Sequence, residues 1–213
     1  MTLLSYCLRP DWPAPAHVHA LVTTRQGGSS EAPFNSLNLG DHVGDDPECV
    51  AANRQALARA LNELAPAQAP QWLKQVHGVR VITPAANAEL RAQQILEADA
   101  ATTTDTAVPL TVMTADCLSV FFTDQQGTRI AVAHAGWRGL CDGVLEKTVA
   151  EFPHAEQVIA WLGPAIGPLA FEVGDEVRCA FMAQDQQAEQ AFSAVPEKPG
   201  HWLADLYVLA RQR

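Results

Sequence analysis

Residues 113–139, MTADCLSVFFTDQQGTRIAVAHAGWRG, carry a cysteine and a histidine, Cys117 and His134, where they can do chemistry. Residues 119–123 (SVFFT) and 129–133 (RIAVA) are β-rich runs, and the Asp-Gln-Gln-Gly between them is a hairpin connection. In an antiparallel pair the start of one strand lies beside the end of its partner. Cys117, just before the first run, and His134, just after the second, are therefore expected at one end of a sheet. A thiol beside an imidazole can be half of a metal site, a nucleophile with its base, or simple packing. A third residue, His77, stands at a His-Gly turn that enters an expected strand at residues 79–82. Two imidazoles and a thiolate are ligands that zinc prefers, and three of them leave a fourth position for water. Such an ion lowers the pKa of that water and makes a nucleophile. A metal-free Cys117/His134 pair stays open beside it. The nucleobase-deaminase pattern HxE…PCxxC is absent.

The elements that must hold these residues can be read in outline. Residues 21–25 (LVTTR) read as a strand, followed by a GGSS turn whose N–H groups could face an anion, with Arg25 as a strand-end charge. Residues 34–46 (FNSLNLGDHVGDD) read as a loop, in which Asn38 and His42 either face a site or make turns. A helix follows, capped by Asp46, with Pro47 and Glu48 in its first turn and Val50, Leu57, Leu61 and Leu64 on one stripe. Arg54 lies on the same stripe and needs a partner: a structural carboxylate, or an anion on the floor of a pocket. Further on, residues 85–96 read as a weaker helix, EADAATTTDT as a polar connection, and 108–113 as a short β-run. After the hairpin, His134-Ala-Gly-Trp-Arg-Gly139 is a loop opening a helix over 140–152. Free N–H groups at such a junction favour an anion, and Arg138 can add a charge-assisted contact. Residues 158–162 read as a strand, GPAIGP as a rigid loop, and a helix is expected from about Asp175. Residues 184–190 read as a polar solvated stretch, and WLADLYVLARQR as a helix start.

Composition narrows the function classes. A chain of 213 residues with 48% hydrophobic and 18% charged residues is long enough for one domain with a substantial core. A net charge of −10 excludes an extended nucleic-acid surface but not a local anion site. The first residues, MTLLSYCLRPDW, are too short and too polar for a signal peptide, and no apolar run approaches a membrane span. Five cysteines without a CxxC pair suit a reducing compartment, so a cytoplasmic protein is expected.

QVHG (75–78), TADC (114–117) and HAGWRG (134–139), in this order, resemble the YfiH or laccase-domain family, also called peptidoglycan editing factor PgeF. TTRQGGSS, SLNLGDHVGDDPECVAANR and GPAIGPLAFEVGDEV are similar to further blocks of that family, so the likeness runs from about Ala20 onward. The resemblance implies a single-domain α/β fold of layered α/β/β/α type with mixed sheets. It also implies zinc, with copper as the alternative, on His77, Cys117 and His134. The implied activity is purine nucleoside phosphorolysis of adenosine, inosine, guanosine or methylthioadenosine, with adenosine deamination beside it. Its partners would be a purine nucleoside and phosphate, and bacterial members are linked to keeping wrong amino acids out of peptidoglycan precursors. Arg54, Arg138 and Asn38 are the candidate phosphate or substrate contacts. The older label of copper-dependent polyphenol oxidase fits poorly, because multicopper chemistry needs more histidines than the 7 present. A Cys117/His134 hydrolase or amidase acting on a peptidoglycan precursor, and a purely structural zinc site, are the alternatives. Members of the family usually continue past DLYVLARQR into a helix and a cysteine-containing segment, which this chain is expected to lack.

Overall fold

The computed structural model describes residues 2–85 and 96–213. Asp46 accepts a hydrogen bond from Glu48 N at 2.8 Å and Pro47 follows it, so helix α1 (Pro47–Leu64) starts where the capping residues place it. Val50, Asn53, Leu57 and Ala60 form its buried face. Sinking Val50 and Leu57 contributes roughly 1.5–3 kcal/mol each. The helix ends at Leu64, before Pro66, as the residue preceding a proline avoids helical backbone.

Strands β1 (Leu73–Lys74) and β2 (Val81–Ile82) flank the His77 turn. Strands β3 (Leu96–Glu97) and β4 (Ala100–Thr103) follow, so EADAATTTDT is not a polar connection. Its alanines and threonines are small or β-branched, and every residue of β4 is buried. Thr102 settles its hydroxyl on the carbonyl of Ile130 at 3.1 Å. Of the helix expected over 85–96, Ala85 is not helical and Leu96 belongs to β3, and residues 86–95 lie outside the described residues.

The hairpin forms as expected: β5 (Leu118–Asp124) pairs antiparallel with β6 (Ile130–Ala135), with Ser119 opposite His134. Asp124 closes it by accepting from the backbone N–H of Gln126, Thr128 and Arg129 and from the Thr128 hydroxyl, at 2.6–3.0 Å. Gly127, at φ 69°, supplies the left-handed residue this turn requires. Leu118, Val120 and Phe122 share one face with Ala131, Ala133 and Ala135, in the main core. Ser119, Phe121, Val132 and His134 share the other.

Helices α2 (Trp137–Cys141) and α3 (Val144–Val149) replace the single helix expected over 140–152. Gly143, at φ 95°, separates them, as glycine in the left-handed region does at helix ends. Strand β7 (Val158–Leu162) completes a five-stranded mixed sheet in the order β2-β4-β6-β5-β7. Strand β8 (Glu172–Gly174), helix α4 (Asp175–Gln184), strands β9 (Phe192–Ala194) and β10 (His201–Ala204), and helix α5 (Leu206–Gln212) follow. The order β8-β10-β9 makes an antiparallel sheet, and β1 pairs with β3. Residues 186–191, read as solvated, form a 3-10 helix that buries Ala188 and Ala191. One core joins Leu118, Val120 and Leu140 with Val177, Phe181, Phe192 and Leu209, so the sheets and helices make one mixed α/β domain.

Two expected strands join no ladder. Residues 21–25 make one bridge, Leu8 to Val22, and residues 108–113 make one, Gln71 to Leu110. Side chains replace the ladder in the second: the Thr111 hydroxyl donates to Gln71 O, and Pro109 has no N–H to give.

Candidate metal centre

His77 sits at φ 60°, a left-handed conformation uncommon for a residue with a side chain. Asp99 holds the turn there. Its carboxylate accepts the backbone N–H of Val76 at 3.1 Å, His77 at 2.9 Å and Gly78 at 2.8 Å. The same carboxylate meets His134 Nδ1 at 2.8 Å, and the Asp99 carbonyl accepts His134 N at 2.7 Å. A carboxylate only accepts, so Nδ1 carries the proton and Nε2 is left free as a ligand. Asp99 has no exposed surface.

Cys117 is placed by a different device. Gln75 donates to Met113 O and accepts from Met113 N, both at 2.7 Å, and so fastens the segment that ends in Cys117 beside the His77 turn. On the far side, Ile166 N donates to Asp116 O at 2.8 Å. Cys117 Sγ then lies 3.8 Å from His77 Nε2, and the ligand atoms of His77, Cys117 and His134 all lie within 4.8 Å of one another. Tetrahedral zinc with ordinary bond lengths separates a sulfur and a nitrogen ligand by about 3.6 Å. The Cys117–His77 separation is near that value, and two imidazoles and a thiol are a donor set such an ion takes; the widest spacing, 4.8 Å, would have to close by several tenths of an ångström for all three to bind it. Among the described residues this is the one cluster of three or more His, Cys, Asp or Glu so arranged.

The glycines of HAGWRG have a steric reason. A Cβ on Gly136 would lie 2.6 Å from His77 Cδ2 and 3.1 Å from Cys117 Sγ. One on Gly139 would lie 2.7 Å from the carbonyl oxygen of Gly78. The loop is thus pressed against the ligands and their turn.

The negative groups around His134 favour positive charge on its ring. Burial opposes charge on His134, but its hydrogen bonds to Asp99 and Cys117 and their negative charges raise its pKa to about 9. Partial desolvation, with the nearby charge of His134, holds His77 below its ordinary value. Burial also opposes charge on Asp99, yet its hydrogen bonds to His134, Gly78 and Val76 keep its carboxyl below the usual carboxylate range.

His77, Cys117 and His134 line a cavity of about 990 Å³, walled also by Phe121, Val132 and Trp72. Asn38 reaches its wall, with an amide already spent on Gly40 O and Asp45. Arg54 and Arg138 are not brought to the walls. Arg54 donates to Leu39 O at 2.9 Å, pairs with Asp41 at 3.2 Å and stacks on Trp72 at 4.2 Å. The Arg138 guanidinium stacks on Trp137 at 4.5 Å. The GGSS turn spends N–H groups inward, Gly28 on Ser36 Oγ and Ser29 on Asn53 Oδ1. Asp99 and Gln75 went unread in the sequence. Gln75 lies inside QVHG, but a lone aspartate between alanines carries no signal.

A family model described as multi-copper polyphenol oxidoreductase laccase matches residues 19–213. The chain belongs to this laccase-domain family. It is 53% identical over 208 residues to a Pseudomonas aeruginosa protein named purine nucleoside phosphorylase PA4543, covering 97% of this chain and 81% of that one. It is 50% identical over 211 residues to the Escherichia coli purine nucleoside phosphorylase YfiH, covering 99% and 83%. Among solved structures, Neisseria meningitidis protein NMB0706 matches with a TM-score of 0.87 at 44% identity, over 97% of this chain and 81% of that one. The Bacillus licheniformis hypothetical protein YfiH matches with a TM-score of 0.78 at 28% identity, over 91% and 75%. Among the described residues no helix of this family member is long and apolar enough to cross a membrane.

Proposed function

We propose that His77, Cys117 and His134 hold a zinc ion at the active site of a purine nucleoside phosphorylase. The observation that carries this is the convergence of three ligand atoms within 4.8 Å on the wall of a cavity of about 990 Å³, roomy enough for a nucleoside. The names of the 53% and 50% identical relatives supply the reaction class. In phosphorolysis a phosphate oxygen bonds to ribose C1′ while the C1′–N9 bond breaks, and the purine leaves with that electron pair and gains a proton.

A bound zinc would be held by His77, Cys117 and His134 and would supply a Lewis-acidic position that binds and orients an oxygen ligand such as phosphate. The chain's own residues do the rest. Asp99 holds His134 with Nδ1 protonated, so that Nε2 faces the cluster, and the same carboxylate fixes the turn that presents His77. The apolar walls contributed by Phe121 and Val132 strip water from the nucleoside and strengthen polar contacts within the cavity. Adenosine, inosine, guanosine and methylthioadenosine are the substrates proposed, with adenosine deamination as a second reaction. Peptidoglycan editing and a cytoplasmic site of action belong to the same proposal, and copper is the competing ion.

One observation favours a second assignment. Asp99 meets His134 Nδ1 at 2.8 Å and Cys117 Sγ lies within 4.8 Å of the His134 ligand nitrogen, an order of carboxylate, imidazole and thiol that also suits a metal-free nucleophile acting on a peptidoglycan precursor. Release of hypoxanthine from inosine, with and without phosphate, separates the two when wild type is compared with Cys117→Ala. Phosphate-dependent release that disappears in the variant together with its metal is expected. Phosphate-independent turnover of an amide substrate, with no release from inosine, would overturn the phosphorylase.

A further inference from the structure

A phosphate dianion entering this cavity meets a chain of net charge −10 and walls that include Asp105 and Asp116. Beside the proposed ion, a cationic side chain on the wall would offset them. Among the described residues lining the cavity, Arg25 is the one arginine or lysine. Its backbone is fixed: the Arg25 carbonyl accepts from Ser36 N at 2.8 Å, Leu37 N at 2.7 Å and the Ser36 hydroxyl at 3.0 Å. Its guanidinium, by contrast, is exposed and has no hydrogen-bond or ion-pair partner among the described residues. The guanidinium of Arg54 is committed to Leu39, Asp41 and Trp72, and that of Arg138, stacked on Trp137, lies outside the cavity lining. A fixed base under an unspent, forked set of donors is what bidentate recognition of phosphate needs.

We propose that Arg25 is the phosphate-binding residue of the cavity. This rests on the phosphorylase assignment and gives its anionic reactant a place. The group bound is inorganic phosphate; the phosphate of a nucleotide is the competing source.

Arg25→Gln and Arg25→Lys test it. With saturating inosine and varied phosphate, Arg25→Gln is expected to raise the KM for phosphate about tenfold or more, the loss of a charge-assisted contact. The KM for inosine and the metal content stay within about twofold of wild type, and Arg25→Lys recovers part of the loss. Calorimetric titration with inorganic phosphate and with AMP separates the two sources, and weaker binding of inorganic phosphate by Arg25→Gln is the expected result. A phosphate KM unchanged in Arg25→Gln, an equal rise in both KM values, or weakened AMP binding with inorganic phosphate unaffected would each refute the proposal. Wild-type protein that binds phosphate without phosphate-dependent turnover, while Arg25→Gln does not bind it, refutes the phosphorylase and leaves the Arg25 site standing.

Discussion

The carboxylate of Asp99 lies 2.8 Å from His134 Nδ1 and also accepts the backbone N–H of His77 at 2.9 Å. One buried side chain therefore sets both histidines of the centre, one through its ring and the other through its turn. Asp99→Asn puts an NH2 where backbone N–H groups now donate, or turns one toward His134 Nδ1–H. Loss of such a metal-supporting carboxylate is expected to weaken metal binding about 10–100-fold. Competition against a chelator of known affinity measures it, and unchanged affinity would show that Asp99 only supports the fold.

Gly136→Ala tests the steric side of the same centre. Gly136 has φ −62°, so alanine is tolerated by the backbone, but its methyl would press on His77 Cδ2 and Cys117 Sγ. Metal affinity is expected to fall with the secondary structure kept, as read by metal titration beside circular dichroism. Full metal occupancy at wild-type affinity would contradict this.

Gln75 offers a test of how Cys117 is placed. Gln75→Leu removes two 2.7 Å hydrogen bonds to the half-buried Met113 N and O, costing about 0.5–1.5 kcal/mol for each. A lower melting temperature together with weaker metal binding is expected. A drop in stability with metal affinity untouched would separate the loop from the site.

Asp124 predicts a pH dependence of stability. Burial opposes its charge, but the Thr128 hydroxyl and three backbone N–H groups hold its carboxyl below the usual carboxylate range. A depressed folded-state pKa stabilises above the unfolded value of about 3.9 and loses that contribution as pH falls through the lower folded value. Asp124→Asn is expected to cost about 1–3 kcal/mol at neutral pH, and the gap from wild type to shrink below about pH 4. Urea melts at pH 7 and pH 3 check the sign; a gap that widens in acid would be wrong for this mechanism.

Local signals gave the sequence its successes. The Asp46-Pro47 cap, the glycine turn at 127 and the paired β-runs around it are short-range physics, and they place α1, β5 and β6 with Cys117 and His134 at one sheet end. His77 was found through its turn. What stayed hidden depends on distant partners. β4 lacks a hydrophobic signature because alanine and threonine pack against β6, and Asp99 has meaning only once Val76, His77, Gly78 and His134 surround it. Arg54 looked equally like a pocket floor and an ion pair, since its stripe fixes direction but not the Asp41 and Trp72 waiting there. Residues 21–25 have strand propensity yet pair once, at Val22, because the next sheet edge is absent from their neighbourhood in sequence and is decided by the fold.

Removing and restoring the ion tests the centre itself. Purified protein is assayed for metal and for phosphate-dependent cleavage of inosine, stripped with a chelator, assayed again, and reloaded with zinc. Bound metal that disappears with the activity and returns with it, and that Cys117→Ser cannot hold, is the expected result. Inosine cleavage that continues at full rate after complete removal of the metal would contradict it.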